Sequence, residues 1–453
     1  MNFARFCTAN ASKYPTREFL VESFPSSGTR RVLTWEQLDE QTNKLANYLT
    51  RECGLKKGDC VQHLLMNSLE WYVIYMAVLK IGAVVSPLNF RFASGDIKYA
   101  CDVTRNRVFV LSEQFVPRVE AIRAEIPFCE SFICLGDDVP EGYTSYHDII
   151  AAGDPSPALV DVEDDQTAEL MFTSGTTGLP KASTMTHYRW NRAMAGFGLS
   201  GVRLKKDDVL LCTLPMYHNN ALTVGLGCVL AAGAAMAIEE HFSASRFWDQ
   251  ARASGATAAI YIGEICRYLL NQDPGPGDRD HSIRVVTGNG LRPELWTRFQ
   301  ERFGIDRICE FYAASECNIA FVNAFNVPRT TGYCPMNFAI VEYDPDTGEP
   351  SRGSDGRLTR VGTGGVGLLL SGISSSQPFD GYTDPEATEK KIVRDAFTDG
   401  DAWFISGDLM LDQGLKHASF VDRLGDTFRW KGENVATTQV EAAVGSFTGV
   451  DQA

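Results

Sequence analysis

Thr173-Ser174-Gly175-Thr176-Thr177-Gly178-Leu179-Pro180-Lys181 is the stretch on which the reading of this 453-residue chain turns. It follows an apolar run at 168–172 that reads as a strand running out into a loop. Glycines at 175 and 178 let backbone N–H groups turn inward without a Cβ in the way. The hydroxyls of Thr173, Ser174, Thr176 and Thr177 add uncharged donors. Lys181 closes the stretch with a point charge. These are the requirements of a polyphosphate: many short donors and a cation for the outer phosphates. The composition also fits an ordinary surface turn, so the rest of the chain has to decide.

Spacing separates this stretch from the commoner phosphate loops. Gly175-x-x-Gly178-x-x-Lys181 is not the G-x-x-x-x-G-K-[ST] of nucleotide hydrolases. There is no dinucleotide fingerprint either, since Gly288-x-Gly290 is followed by Pro293 where a third glycine would stand. A nucleophile elbow is also missing, which disfavours hydrolase chemistry.

Outward from the loop, helix and strand signals alternate. Thr34-Trp-Glu-Gln37 and Asn67-Ser-Leu-Glu70 have the form of capping boxes, each opening an apolar helix. Strand-like runs stand at 61–65, 83–86, 108–111, 209–214, 258–262, 283–286 and 308–311. Pro293 marks a helix start and Gly304 its end. The pattern predicts an α/β fold of largely parallel sheets flanked by helices, with ligands at the carboxyl ends of strands, where Thr173, Thr287 and Tyr312 fall. A polar linker is expected at 151–165. From about Thr330 the sequence turns Gly-rich and short-stranded, which predicts a small antiparallel barrel or sheet. Domain limits are expected at 1–422 for a large portion, with subdomains of about 1–160, 161–329 and 330–422, and at 423–453 for a hinge and the start of a truncated C-terminal domain.

A net charge of −15 argues against nucleic acid as a partner, because neutralising phosphates needs clustered Lys and Arg. The 12 cysteines form no C-x-x-C pair and no apolar signal segment precedes the first structured residues. They read as reduced, mostly buried thiols of a cytoplasmic protein. The charge-free run 222–238 approaches the length of a membrane span, yet its glycines and alanines favour a buried helix and strand. Lys80 interrupts a second such run at 71–88. No transmembrane anchor is expected. Peripheral membrane contact and oligomeric state stay open.

The nonapeptide resembles the phosphate loop of the adenylate-forming enzymes, the superfamily of acyl-CoA synthetases, luciferases and peptide-synthetase adenylation domains. Further stretches match it in the same order. Pro215-Met-Tyr-His218 resembles the loop that lines the acyl and phosphate side of the site. Gly288-Asn289-Gly290 resembles the loop whose bare backbone lies against adenine. Phe311-Tyr312-Ala-Ala-Ser315-Glu316 resembles Y-G-x-T-E. That match implies stacking of Tyr312 on adenine, donation by Ser315 to the α-phosphate and a Mg²⁺ ligand at Glu316. Ser406-Gly-Asp408 and Asp422-Arg423 resemble the ribose-binding aspartate and arginine. Taken singly, His218, Asp408 and Arg423 would more often be structural or solvated.

The block from Asp422 to Val435, D-R-L-G-D-T-F-R-W-K-G-E-N-V, narrows the resemblance to the fatty acid transport protein and very-long-chain acyl-CoA synthetase branch. The resemblance implies an ATP-dependent ligase with Mg²⁺ that joins long or very long fatty acids, or bile acids, to coenzyme A. Lys181, Glu316 and His218 would be its catalytic side chains. Alternatives are transfer of the adenylate to a carrier protein, and a core that binds ATP and acyl ligand with little turnover. Cys317 stands where relatives usually have glycine, and Gly425 falls at the hinge. About 28 residues follow the hinge, against a C-terminal domain of roughly 100 in the superfamily, so the late catalytic lysine has no expected counterpart.

Overall fold

Thr34 opens the first long helix by a reciprocal cap: its hydroxyl accepts from Gln37 N at 3.2 Å while the Gln37 side chain accepts from Thr34 N at 2.9 Å. The helix Trp35–Arg51 then buries Leu38, Leu45 and Leu49 along one stripe. The computed structural model that shows this describes residues 1–24, 29–173, 181–315, 317–424, 427–430, 433–436, 440 and 444. Two units make up the chain. One comprises Met1–Gly288, Thr297–Ile308 and Tyr382–Asp384; the other comprises Asn289–Trp296, Cys309–Gly381 and Pro385–Ala453.

The first unit holds two sheets. One runs in the order Thr144–Ser145, Ser131–Leu135, Val108–Ser112, Cys60–Leu64, Val84–Pro87, Thr167–Thr173, Lys181–Thr186, parallel until its last, antiparallel pair. The other places Glu18–Phe24, Ala235–Ile238, Val209–Cys212 and Ala258–Ile262 side by side in parallel. The helix Leu69–Lys80 is buried at every position except Glu70 because it packs against both sheets. Tyr72 donates to Met236 Sδ at 3.2 Å on one side and Tyr75 to Glu169 Oε2 at 3.1 Å on the other. Lys80, which ends this helix, is fully buried and satisfied by Asp39 and Asn43, each at 2.7 Å. Burial thus accounts for the apolar run that contains it. The run 222–238 becomes a π-helical turn Asn220–Leu226, the helix Gly227–Ala232 and the strand Ala235–Ile238. Among the described residues no helix is long and apolar enough to cross a membrane.

The Gly-rich region of the second unit is an antiparallel ladder. Its order is Phe338–Val341, Val366–Gly372, Ala402–Gly414, His417–Arg423, Gly332–Tyr333, Phe321–Val322, Arg307–Tyr312. Alternation along the strands feeds both faces. Leu369, Ile340, Phe404 and Met410 pack on one side, and Leu368, Leu370, Val341, Trp403 and Leu409 on the other. Of the barrel or sheet expected here, the described residues form the antiparallel sheet and no closed barrel. The ladder narrows to two-residue strands and its far edge pairs with Arg307–Tyr312, so Phe338–Val341 has no opposite edge to join.

All 12 cysteines are buried. Burial pushes the thiols of Cys7, Cys60, Cys129 and Cys212 up to about 12.

Candidate functional site

The strand Thr167–Thr173 pairs with Lys181–Thr186 in a hairpin whose register sets Thr173 opposite Lys181. Both ends of the nonapeptide are therefore pinned at one place. Ser174, Gly175, Thr176, Thr177 and Gly178 lie outside the described residues, and so do the phosphate contacts expected of them. The Lys181 ammonium sits over the Tyr382 ring, 5.6 Å from its centroid. Tyr382 bridges to Ser183, and Thr383 N donates to Ala182 O at 3.1 Å, which holds this short segment along the hairpin. Sequence reasoning missed Tyr382. The only local signal is the turn around Gly381, at φ +73°, and nothing in it points 200 residues back.

His218 lies in the loop after Val209–Cys212, at the carboxyl end of a parallel strand. Its backbone N–H donates to Pro215 O at 3.2 Å and its ring tilts against Tyr217 at 4.4 Å between centroids. The side chain reaches water, yet enough protein surrounds it that desolvation holds its pKa below the ordinary value. A neutral imidazole, able to donate and accept, is the favoured form at neutral pH.

Gly288 is demanded by its own fold. A Cβ there would lie 2.2 Å from Tyr261 O, an impossible approach. Gly290 sits at φ +83°, where a side chain would be strained, and both Asn289 and Gly290 are exposed. In the second unit the buried Glu310 carboxylate accepts from Leu291 N at 3.1 Å, which fixes the residue after Gly290.

Three predicted residues of the second unit do come together. Register pairs Asp408 with Arg423 across two antiparallel strands, and the Tyr312 hydroxyl donates to Asp408 Oδ2. Arg423 Nε stands 3.8 Å from Asp408 Oδ1 with its side chain 70% exposed, so this ion pair alone contributes little. Burial first, and the Asp408 charge second, raise the Tyr312 pKa well above the ordinary phenol value. Tyr312 is thus a donor throughout. Ser406 Oγ accepts from Asp408 N at 3.1 Å and donates to Leu369 O at 2.8 Å, which sets the carboxylate at the strand bend. The result is a buried aromatic ring, a carboxylate and an exposed cation in one place. Chemically, that suits a base, a diol and a phosphate.

Ser315 is half-buried in a turn closed by Cys317 N donating to Ala314 O at 3.0 Å, and Glu316 lies outside the described residues. Cys317 is buried with Tyr312, Ile319 and Phe321, so the side chain in place of glycine serves the core.

The model of the AMP-binding enzyme family matches residues 7–367. The chain is 49% identical over 442 residues to the medium/long-chain-fatty-acid–CoA ligase FadD6 of Mycobacterium tuberculosis, covering 98% of this chain and 72% of that protein. It is 36% identical over 451 residues to long-chain fatty acid transport protein 2 of Rattus norvegicus, covering 96% and 71%. The anthranilate CoA ligase AuaEII, solved with anthranoyl-AMP, superposes with a TM-score of 0.85 at 20% identity, over 100% of this chain and 83% of that one. The adenylate-forming fold expected from the motifs is the one observed. With four-fifths of its length matched by the family model and close relatives along nearly all of it, the chain belongs to the AMP-binding enzyme family.

Proposed function

We propose that this chain activates a long-chain or very-long-chain fatty acid, forming the acyl-adenylate from ATP and then the CoA thioester. The observation that carries the reading is the meeting of Tyr312, Asp408 and Arg423, in a chain 49% identical to a fatty-acid–CoA ligase. In the first step a carboxylate oxygen bonds to the α-phosphorus and the bond from that phosphorus to its bridging oxygen breaks, releasing pyrophosphate. In the second the CoA sulfur bonds to the acyl carbonyl carbon, the bond to AMP oxygen breaks and the thiol proton leaves to solvent.

Nucleophile and target are both anionic in the first step, so fixed donors and positive charge must offset their repulsion. Residues 173–181 would cradle the outer phosphates, with Lys181 steadied by Tyr382. Tyr312 would face adenine, with Gly288, Asn289 and Gly290 supplying backbone to the base. Asp408 and Arg423 would hold the ribose, Ser315 the α-phosphate, and neutral His218 the acyl carboxylate. Mg²⁺ would arrive with the nucleotide and offset phosphate charge. Glu316 is its motif-assigned ligand, and an ion of this kind needs only one or two carboxylates beside phosphate oxygens.

Acid-dependent ATP–pyrophosphate exchange, scanned over fatty acids from medium to very long, tests the reading. Exchange is expected with long acids and should fall about 100-fold in Lys181→Ala, the usual order for removing one electrostatic contact to the reacting group. ATP binding without exchange on any fatty acid would overturn it. Adding CoA or a pantetheine-bearing carrier protein and identifying the thioester decides the acceptor.

A further inference from the structure

Asn67 and Ser68 offer two N-cap residues in succession, and the fold uses the second. Ser68 caps Leu69–Lys80, accepting from Trp71 N at 3.3 Å. The expected cap at Asn67 is thereby corrected, because the chain enters the helix one residue later and the Asn67 amide is left to point elsewhere. It reaches far along the sequence. Asn67 Nδ2 donates to Leu214 O at 2.8 Å and to Glu239 O at 2.9 Å, and Asn67 Oδ1 accepts from Met216 N at 2.9 Å.

This amide is 7% exposed, and Leu214 and Met216 are 4% and 0% exposed, so these groups have no water to turn to. Between Leu214 and Met216 stands Pro215, which has no N–H to give. Beside a long contact of the Cys212 thiol to Leu214 O at 3.7 Å, one bond donated by Asn67 and the one it accepts hold the two ends of this tripeptide, while its second donated bond ties them to Glu239 O. Pro215 O in turn receives the backbone N–H of His218. One planar side chain therefore sets the start of the histidine loop against the ends of two parallel strands. A serine or threonine could not span three partners with one hydroxyl.

We propose that Asn67 is the positioning residue of the His218 loop, governing use of the fatty acid and not of ATP. Its kinetic consequence rests on His218 acting at the acyl side, as read above. Two variants test it in the full chain. Asn67→Asp keeps the shape and the acceptor for Met216 N but turns an oxygen toward two carbonyls. Asn67→Ala removes all three bonds. Each is followed by exchange kinetics, thermal unfolding and a proton-NMR titration of the histidines, with His218 assigned through His218→Gln.

The expected result is an acid KM raised about tenfold, the scale of one to two lost buried hydrogen bonds, with the ATP KM unchanged. The His218 pKa should climb toward its ordinary value as the loop loosens. His63 and His187, held by burial down to about 3 and about 4, should keep theirs. An unmoved His218 in folded variants overturns the proposal. So does a parallel rise of both KM values with a lowered Tm, or failure of both variants to fold, since each assigns Asn67 to stability alone. Should the unmodified chain show no acid-dependent exchange, the functional reading fails while the NMR arm still decides the role of Asn67.

Discussion

Asp408→Ala is expected to weaken ATP binding and adenylate formation at least about 100-fold while leaving acid affinity alone. A carboxylate that accepts from two ribose hydroxyls makes two charge-assisted bonds, each about 1.5–3 kcal/mol, and 3 kcal/mol is about two decades. The substitution also strips the buried Tyr312 hydroxyl of its acceptor, which costs stability by itself. Adding Tyr312→Phe separates the two effects. The double variant should recover thermal stability without recovering nucleotide affinity. Calorimetry of ATP binding together with exchange kinetics reads both. Unchanged ATP affinity in the single variant would take Asp408 out of the nucleotide site.

Glu169→Gln should make the protein more stable, by an amount that grows with pH. Glu169 lies on the strand that leads into the nonapeptide and is 0% exposed. Tyr75 and Trp190 donate to its Oε2 at 3.1 and 3.2 Å, and Oε1 has no partner among the described residues. Desolvation pushes its pKa from 4.5 up to about 8, more than these two bonds and the more distant Arg189 charge pull it down. Below pH 4.5 the carboxyl is protonated in folded and unfolded chains alike and nothing is lost. From there to about pH 8 folding must take up a proton, so stability drops by about 1.4 kcal/mol per pH unit. Above pH 8 the loss levels off, on the order of 5 kcal/mol. Glutamine keeps the acceptor for Tyr75 and Trp190 and carries no charge to desolvate. Urea unfolding of both proteins should coincide near pH 4.5 and diverge by several kcal/mol at pH 8–9. Parallel curves would show that Glu169 does not titrate as its burial implies.

What could be read from the sequence was what neighbouring residues decide. Pro293 and Gly304 bracketed a helix that the structure places at Pro293–Phe303, with Gly304 at φ +66°. The Thr34 cap was legible for the same reason. Apolar alternation told sheets from helices but did not encode which edges pair, so the region after Thr330 could be read only as a barrel or a sheet, and the chain builds an open ladder. Two adjacent cap residues at Asn67 and Ser68 looked equivalent because capping is local, whereas the amide's real partners lie 147 to 172 residues away. Lys181 was found by its motif and Tyr382 was not, since a ring packed under an ammonium leaves no trace in spacing. Glu169 stood inside a run read as apolar. A charge in such a place was itself the signal of a buried carboxyl.

The 12 hidden thiols give this chain a clock for its own openings. A disulfide reagent in solution meets no sulfur that is both in reach and ionised while the molecule is intact. Each thiol reacts only when the segment around it parts from its neighbours, so the order of labelling ranks those segments by how readily they open. Cys134 in one parallel sheet, Cys212 in the other and Cys334 in the antiparallel ladder would time three parts of the molecule in a single experiment, with no cysteine added by mutation.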